Sequence, residues 1–181
     1  PDTETASALA AVYEQSGLNE EAVAFAEIAV SGAPEDPLYL DNLAQLVVFT
    51  DPHRALGLAD RALEQPGPAL GPLMTRGLAL TRLRRTEEAV LNNERTATMF
   101  PGEAAAHFNL AESRIAARDF EGAASAADAA LGLVPDHPGA LFSRGVARAA
   151  VGDLVEGQSD LFRAIERDPG FSVSYTHLTL P

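Results

Sequence analysis

Pro101, Pro135 and Pro169 stand 34 residues apart, and the text between them repeats in type. Ala111 maps onto Gly145, Ala123 onto Gly157 and Ala130 onto Ala164. A fixed period of this length marks a protein built of stacked copies of one supersecondary unit. Read outward from this stretch, the chain divides into copies at 3–36, 37–69, 70–103, 104–137 and 138–171. The second is one residue short.

Each copy reads as helix, tight turn, helix, proline stop. Numbered from the start of each copy, small residues recur at three places. Place eight holds Ala10, Ala44, Gly77, Ala111 and Gly145. Place 20 holds Ala22, Ala55, Ala89, Ala123 and Gly157, and place 27 holds Ala29, Ala62, Thr96, Ala130 and Ala164. Helices joined by a short turn lie nearly antiparallel, and small side chains let their axes approach. Proline cannot continue a helix, because it lacks the N–H and clashes with the preceding turn. One such pair cannot bury its apolar face alone, so neighbouring copies share a core. Aromatics make up only 6% of the residues, so that core is expected to be aliphatic.

Local signals place the helix starts. Asn19, Asp51 and Asp119 read as N-caps, and Pro52 after Asp51 suits the first helical position. Asp153 and Glu156 have the spacing of a capping box. Gly17 breaks the helical pattern of the first copy, and Pro66-Gly67-Pro68 makes an irregular close to the second.

The pattern resembles the tetratricopeptide repeat (TPR). That family's Leu at place seven is matched by Leu9, Leu43 and Leu110, whereas Arg76 and Arg144 stand there in copies three and five. Its Trp at place four is replaced by Leu40, Leu73, His107 and Leu141. The resemblance covers residues 3–171. It implies an all-α, right-handed superhelical solenoid of antiparallel helix pairs, about five TPR-like repeats, with the first helix of each pair lining a concave groove. Carried over place by place, the groove positions fall on Asp41 and Gln45 in copy two and on Met74, Leu78 and Arg82 in copy three. They fall on Phe108, Glu112 and Ile115 in copy four, and on Phe142 and Val146 in copy five. Two readings of Phe108 and Phe142 follow: they line a groove, or they wedge between neighbouring helices. Grooves of this family that clamp a terminal carboxylate use Lys, Asn and Arg. There is no Lys here, so a mainly apolar groove for an amphipathic helix or an extended apolar segment is the expectation.

Other chemistries find no support in the sequence. With no Cys, disulfides, thiolate metal sites and a cysteine nucleophile are excluded, and the compartment stays open. A net charge of −13 argues against nucleic acid, whose phosphates demand basic residues. No apolar run has the length of a membrane span. His53, His107 and His137 sit in three copies at unrelated places, without metal-ligand spacing. Acid pairs such as Glu20-Glu21 and Glu87-Glu88 fall at helix starts, where the macrodipole favours them. Arg82, Arg84 and Arg85 form the basic cluster, read as the C-terminal turn of a first helix or as a contact for an acidic partner. No catalytic, cofactor or metal residues are therefore expected, and the chain reads as a non-catalytic scaffold for a protein or peptide partner. The alternative is the repeat arm of a larger enzyme, such as a glycosyl- or sulfo-transferase.

All 13 basic residues are Arg, which together with abundant Ala and Gly is associated with GC-rich bacterial genomes. Position 1 is Pro, and the chain is expected to be a fragment. Residues 172–181 read SVSYTHLTLP, and VSYTHLTLP is similar to one reading frame of a transposon-derived sequencing adapter. This tail is expected to be non-native, and the uncapped end to favour self-association through Leu161, Phe162 and Ile165.

Overall fold

The computed structural model describes residues 1–66 and 69–168. Part of the irregular close at 66–68, and the tail 172–181, lie outside the described residues. The described residues form ten α-helices and no strand: α1 Thr3–Gln15, α2 Asn19–Gly32, α3 Pro37–Val47, α4 Pro52–Glu64, α5 Leu70–Arg82, α6 Thr86–Met99, α7 Ala104–Ala116, α8 Phe120–Leu133, α9 Pro138–Ala150 and α10 Leu154–Arg167. The all-α class and the helix pairing expected from the repeat are both present. The chain forms two compact units, Pro1–Asn92 and Asn93 onward, and the border falls inside α6.

The helix starts follow from local chemistry. Asp36, Asp51, Asp119 and Asp2 each accept a hydrogen bond from a backbone N–H of the first turn. Pro37, Pro52 and Pro138 occupy first helical positions, where a missing N–H costs nothing. Two expectations fail. Asn19 is the first residue of α2 and makes no cap, because Leu18 takes that position. Asp153 stands at the N-cap of α10 without a side-chain cap hydrogen bond.

The turn inside each pair has one special position. Gly17, Arg84, Arg118 and Gly152, all at place 15, have φ of 73°, 60°, 62° and 96°. This left-handed residue closes a Schellman-type end, in which the next N–H reaches back five residues. The bonds are Leu18 N–H to Tyr13 O, Arg85 N–H to Leu80 O, Asp119 N–H to Arg114 O and Asp153 N–H to Arg148 O, at 2.9–3.0 Å. Copy two lacks this residue, which accounts for its missing position. There the Asp51 N–H instead bonds Val47 O at 2.7 Å.

All fifteen residues at places eight, 20 and 27 are buried. In the first unit Ala10, Ala44, Ala55, Ala62 and Ala89 pack with Leu40, Leu43, Val47, Val48, Leu56, Leu58 and Leu80. In the second, one cluster holds Leu110 with Ala97, Ala111, Ala126 and Ala127, and another holds Leu131 and Leu141 with Ala130, Ala140 and Ala164. Full burial of each Leu stabilises by roughly 1.5–3 kcal/mol. The last pair shows how near the helices come. A Cβ on Gly145 would lie 2.9 Å from Gly157 O, and one on Gly157 would lie 2.9 Å from Gly145 O. Place eight and place 20 thus meet backbone to backbone across α9 and α10.

Candidate functional site: the first-helix faces

In the first unit, Met74, Leu78 and Arg82 lie four residues apart along α5, on one face. Met74 and Leu78 are half-buried and Arg82 is exposed. The Arg82 guanidinium carbon stands 4.6 Å from the centre of the Phe49 ring, in cation–π geometry. Phe49, just beyond α3, is 64% exposed. Both residues occupy place 13 of their copies. Asp41 and Gln45 belong to the same face of α3. Asp41 is buried; it accepts hydrogen bonds from Thr75 Oγ1 and Gln45 Nε2, each at 2.8 Å. Burial pushes its carboxyl above the ordinary value, against the opposing pull of those two donors. Its carboxylate fills the space where Gly71 has no side chain.

In the second unit, α7 carries Phe108, Glu112 and Ile115, and α9 carries Phe142 and Val146; all five are half-buried. Phe108 and Phe142 pack against the cluster around Leu131 and Leu141. The Phe108 ring lies over Gly139, where a Cβ would come within 2.7 Å of it. Its other neighbour is the His137 imidazole, 5.1 Å away between ring centres. The same relation recurs in both units: a place-five side chain, Asp41 or Phe108, covers a place-two glycine, Gly71 or Gly139, in the following copy. Phe108 therefore bridges two first helices and keeps part of its surface accessible.

The histidines have local partners. His137 caps α9, accepting the Ala140 N–H on Nδ1 at 3.1 Å. His107 Nε2 lies 3.0 Å from Pro101 O, and His53 is exposed in the first turn of α4. Among the described residues, no group of three His, Asp or Glu side chains is arranged to hold a metal ion. None of their helices is long and apolar enough to cross a membrane.

Sequence reasoning missed one set of residues. Arg76 and Arg144, noted only as departures from leucine at place seven, are the centres of two polar joints. Arg76 Nε donates to Asp60 at 2.6 Å and its Nη1 to Asn92 Oδ1 at 3.3 Å. Arg144 Nη1 donates to Asp128 at 2.7 Å, and its Nε and Nη2 grip both oxygens of Asp160 at 2.7 and 2.6 Å. Each arginine thus ties its own second helix to the second helix of the preceding copy. The signal was available: Asp60, Arg76 and Asn92, like Asp128, Arg144 and Asp160, are spaced by sixteen residues. Both guanidiniums are engaged by their own chain.

The basic cluster also departs from its expected place. α5 ends at Arg82, and Arg84 and Arg85 form the turn beyond it. Arg85 is bound by Glu88 at 2.6 Å. Beside Arg84 lies a shallow, open cavity of about 250 Å³ lined also by Arg85, Thr86, Glu87 and Glu88.

A sequence model of the tetratricopeptide repeat matches residues 74–138 and 108–170, together more than half of the chain. No curated protein sequence matches this chain. Among solved structures, TTC0263, a thermophilic TPR protein of Thermus thermophilus, superposes with a TM-score of 0.81 at 20% identity, covering 97% of each chain. MamA 41-end from Desulfovibrio magneticus RS-1 gives 0.75 at 16% identity, over 93% of this chain and 96% of that one. YrrB, described as a TPR protein with an unusual peptide-binding site, gives 0.68 at 18% identity, over 99% and 93%.

Proposed function

The chain belongs to the tetratricopeptide repeat family, and we propose that it is a scaffold whose first helices bind a segment of another protein. The observation that carries this reading is the α7 and α9 face. It presents Phe108, Ile115, Phe142 and Val146, apolar yet half accessible, beside helices whose own contacts are satisfied by small residues. An aromatic held rigidly by a packed neighbour loses little freedom on binding, which is the property of residues that dominate interfaces. The peptide-binding site named for YrrB is in keeping with a peptide occupant here. The occupant we assign is an amphipathic helix or an extended apolar segment.

Peptides selected from a phage-displayed random library on the folded protein provide the test. Replacing Phe108 and Phe142 together by Ala should weaken such a peptide by more than the ~1 kcal/mol typical of peripheral interface residues. Because Phe108 also packs against Gly139, Val146→Glu serves as the second variant, since it adds charge to the face without removing a core contact. Unchanged affinity in both folded variants would defeat the assignment.

The described outer face of α10 supports self-association as a second mode. Phe162, Val155 and Leu154, all on α10, are 66%, 77% and 60% exposed, and apolar side chains left in water favour contact between molecules. Phe162→Ser should shift the sedimentation profile toward monomer; an unchanged profile would remove this mode.

A further inference from the structure

We infer that the turn at the end of α5 is a docking point for an acidic segment, with Phe49, Arg82 and Arg84 as the contact residues. The inference rests on the reading that first-helix faces bind a protein segment, and it names the chemistry of the occupant in the first unit. Three observations support it. The first is charge accounting. The first unit carries Arg54, Arg61, Arg76, Arg82, Arg84 and Arg85 amid a large excess of acids. Four of these arginines hold carboxylates of their own chain. Among the described residues Arg82 and Arg84 hold none, and both are exposed. The second is Arg84's backbone, at φ 60°, a region costly for any residue with a Cβ. Gly17 and Gly152 fill the same place in other copies without that cost. Arg118 shares this conformation, so strain by itself assigns no role; Arg84 is set apart by standing two residues from Arg82, which carries the Phe49 contact. The third is Phe49, exposed and already engaged by Arg82. An aromatic with a cation over its face offers an apolar surface and a carboxylate partner within one footprint.

The occupant is a segment in which an apolar side chain neighbours one or two side-chain carboxylates. The apolar group packs on Phe49 and Leu78, and the carboxylates bridge Arg82 and Arg84. The nearby acids restrict the footprint. Asp51 is held at the N-cap of α4 by the Arg54 N–H, and Glu88 is held by Arg85. Glu87 borders the cavity beside Arg84.

The test uses a fluorescein-labelled peptide alternating Glu and Asp with Leu and Phe, and an isostere with Gln and Asn in place of the acids. Anisotropy titrations at low and high salt should show the acidic peptide bound more tightly, by about tenfold at low salt, with the gap closing as salt rises. Arg82→Gln with Arg84→Gln should erase that preference, and Phe49→Ala should weaken both peptides. Arg84→Gly is the decisive single variant: relief of the strained backbone should raise its melting temperature while it loses affinity for the acidic peptide. Arg95→Gln, an exposed arginine elsewhere, should bind as the parent does. Equal binding of the two peptides, no binding of either, or an Arg84→Gly variant that gains stability and keeps full affinity would overturn the inference. The Phe108 and Val146 variants report on the α7 and α9 face independently, so failure of one assignment is distinguishable from failure of the other.

Discussion

Arg144 and Asp160 meet as a two-pronged ion pair, Nε to one oxygen at 2.7 Å and Nη2 to the other at 2.6 Å. The Asp160 side chain is only 4% exposed, and Arg148 Nη1 also reaches it at 2.7 Å. Asp128 holds the remaining arm of Arg144, and these carboxylates keep its guanidinium firmly protonated. Removing Asp160 leaves two cations facing a site stripped of its anion. Asp160→Ala should therefore cost about 3–5 kcal/mol in denaturant unfolding. The double variant Arg144→Leu, Asp160→Leu places in copy five the leucine that copies one, two and four carry at place seven. It should be more stable than Asp160→Ala, because it removes the more buried guanidinium together with its anion and leaves only the more exposed Arg148 and Asp128 without partners. A double variant less stable than Asp160→Ala would show that the ion pair does more than satisfy its own charges.

The Gly145–Gly157 contact predicts a different kind of loss. Alanine at either position gains up to about 1 kcal/mol in helix propensity. Its Cβ, however, would sit within 2.9 Å of a backbone oxygen on the facing helix, and backbone cannot rotate away as a side chain can. Overpacking of this kind costs about 1–3 kcal/mol, so the net effect is destabilising and should be larger for the double variant. Thermal unfolding of Gly145→Ala, Gly157→Ala and their combination checks it. A gain in melting temperature would mean that the two helices can separate freely.

Arg118 offers the opposite sign. Its φ of 62° is the glycine region, and the side chain makes no ion pair among the described residues. Arg118→Gly should stabilise the second unit by about 0.5–1 kcal/mol, since the left-handed strain exceeds the extra chain entropy of glycine. A destabilised variant would show that the arginine side chain contributes to folding.

Asp41 gives the pH dependence. Burial raises its carboxyl above the unfolded value, so the folded state holds the proton more tightly than the unfolded state. That contribution to stability is fully present below the unfolded value and is lost as pH rises through the folded one. Asp41→Asn keeps an acceptor for Thr75 and does not ionise. At neutral pH it should be more stable than the parent, with the difference shrinking as the medium is acidified. Denaturant midpoints for both proteins across that range decide it; a gap that widens toward acid would reverse the assignment.

The repeat itself was legible because its cause is steric. Wherever two helix axes come close, only Ala, Gly or one Thr fits, and that requirement recurs at fixed places as a sequence signal. The helix starts were legible where Asp or Pro sits in the turn, and misread at Asn19 and Asp153. Leu18 takes the cap position ahead of Asn19, and Asp153 stands at its cap position without the side-chain bond. The polar joints were illegible copy by copy, because Arg76 and Arg144 look like errors until their partners sixteen residues away on each side are seen together. The role of Phe108 was half legible. Its place in the copy put it on the first-helix face, but only Gly139, lacking a Cβ, lets the ring lean across to the next copy.

The central claim is that a protein segment lies on the first helices. It is tested most directly by titrating the isotopically labelled protein with a library-selected peptide and following backbone amide shifts. The account predicts shifts at Phe108, Ile115, Phe142 and Val146, with the outward residues Ala129 and Leu133 of α8 and Gln158 of α10 unmoved. Shifts confined to those second-helix residues, with α7 and α9 silent, would contradict it.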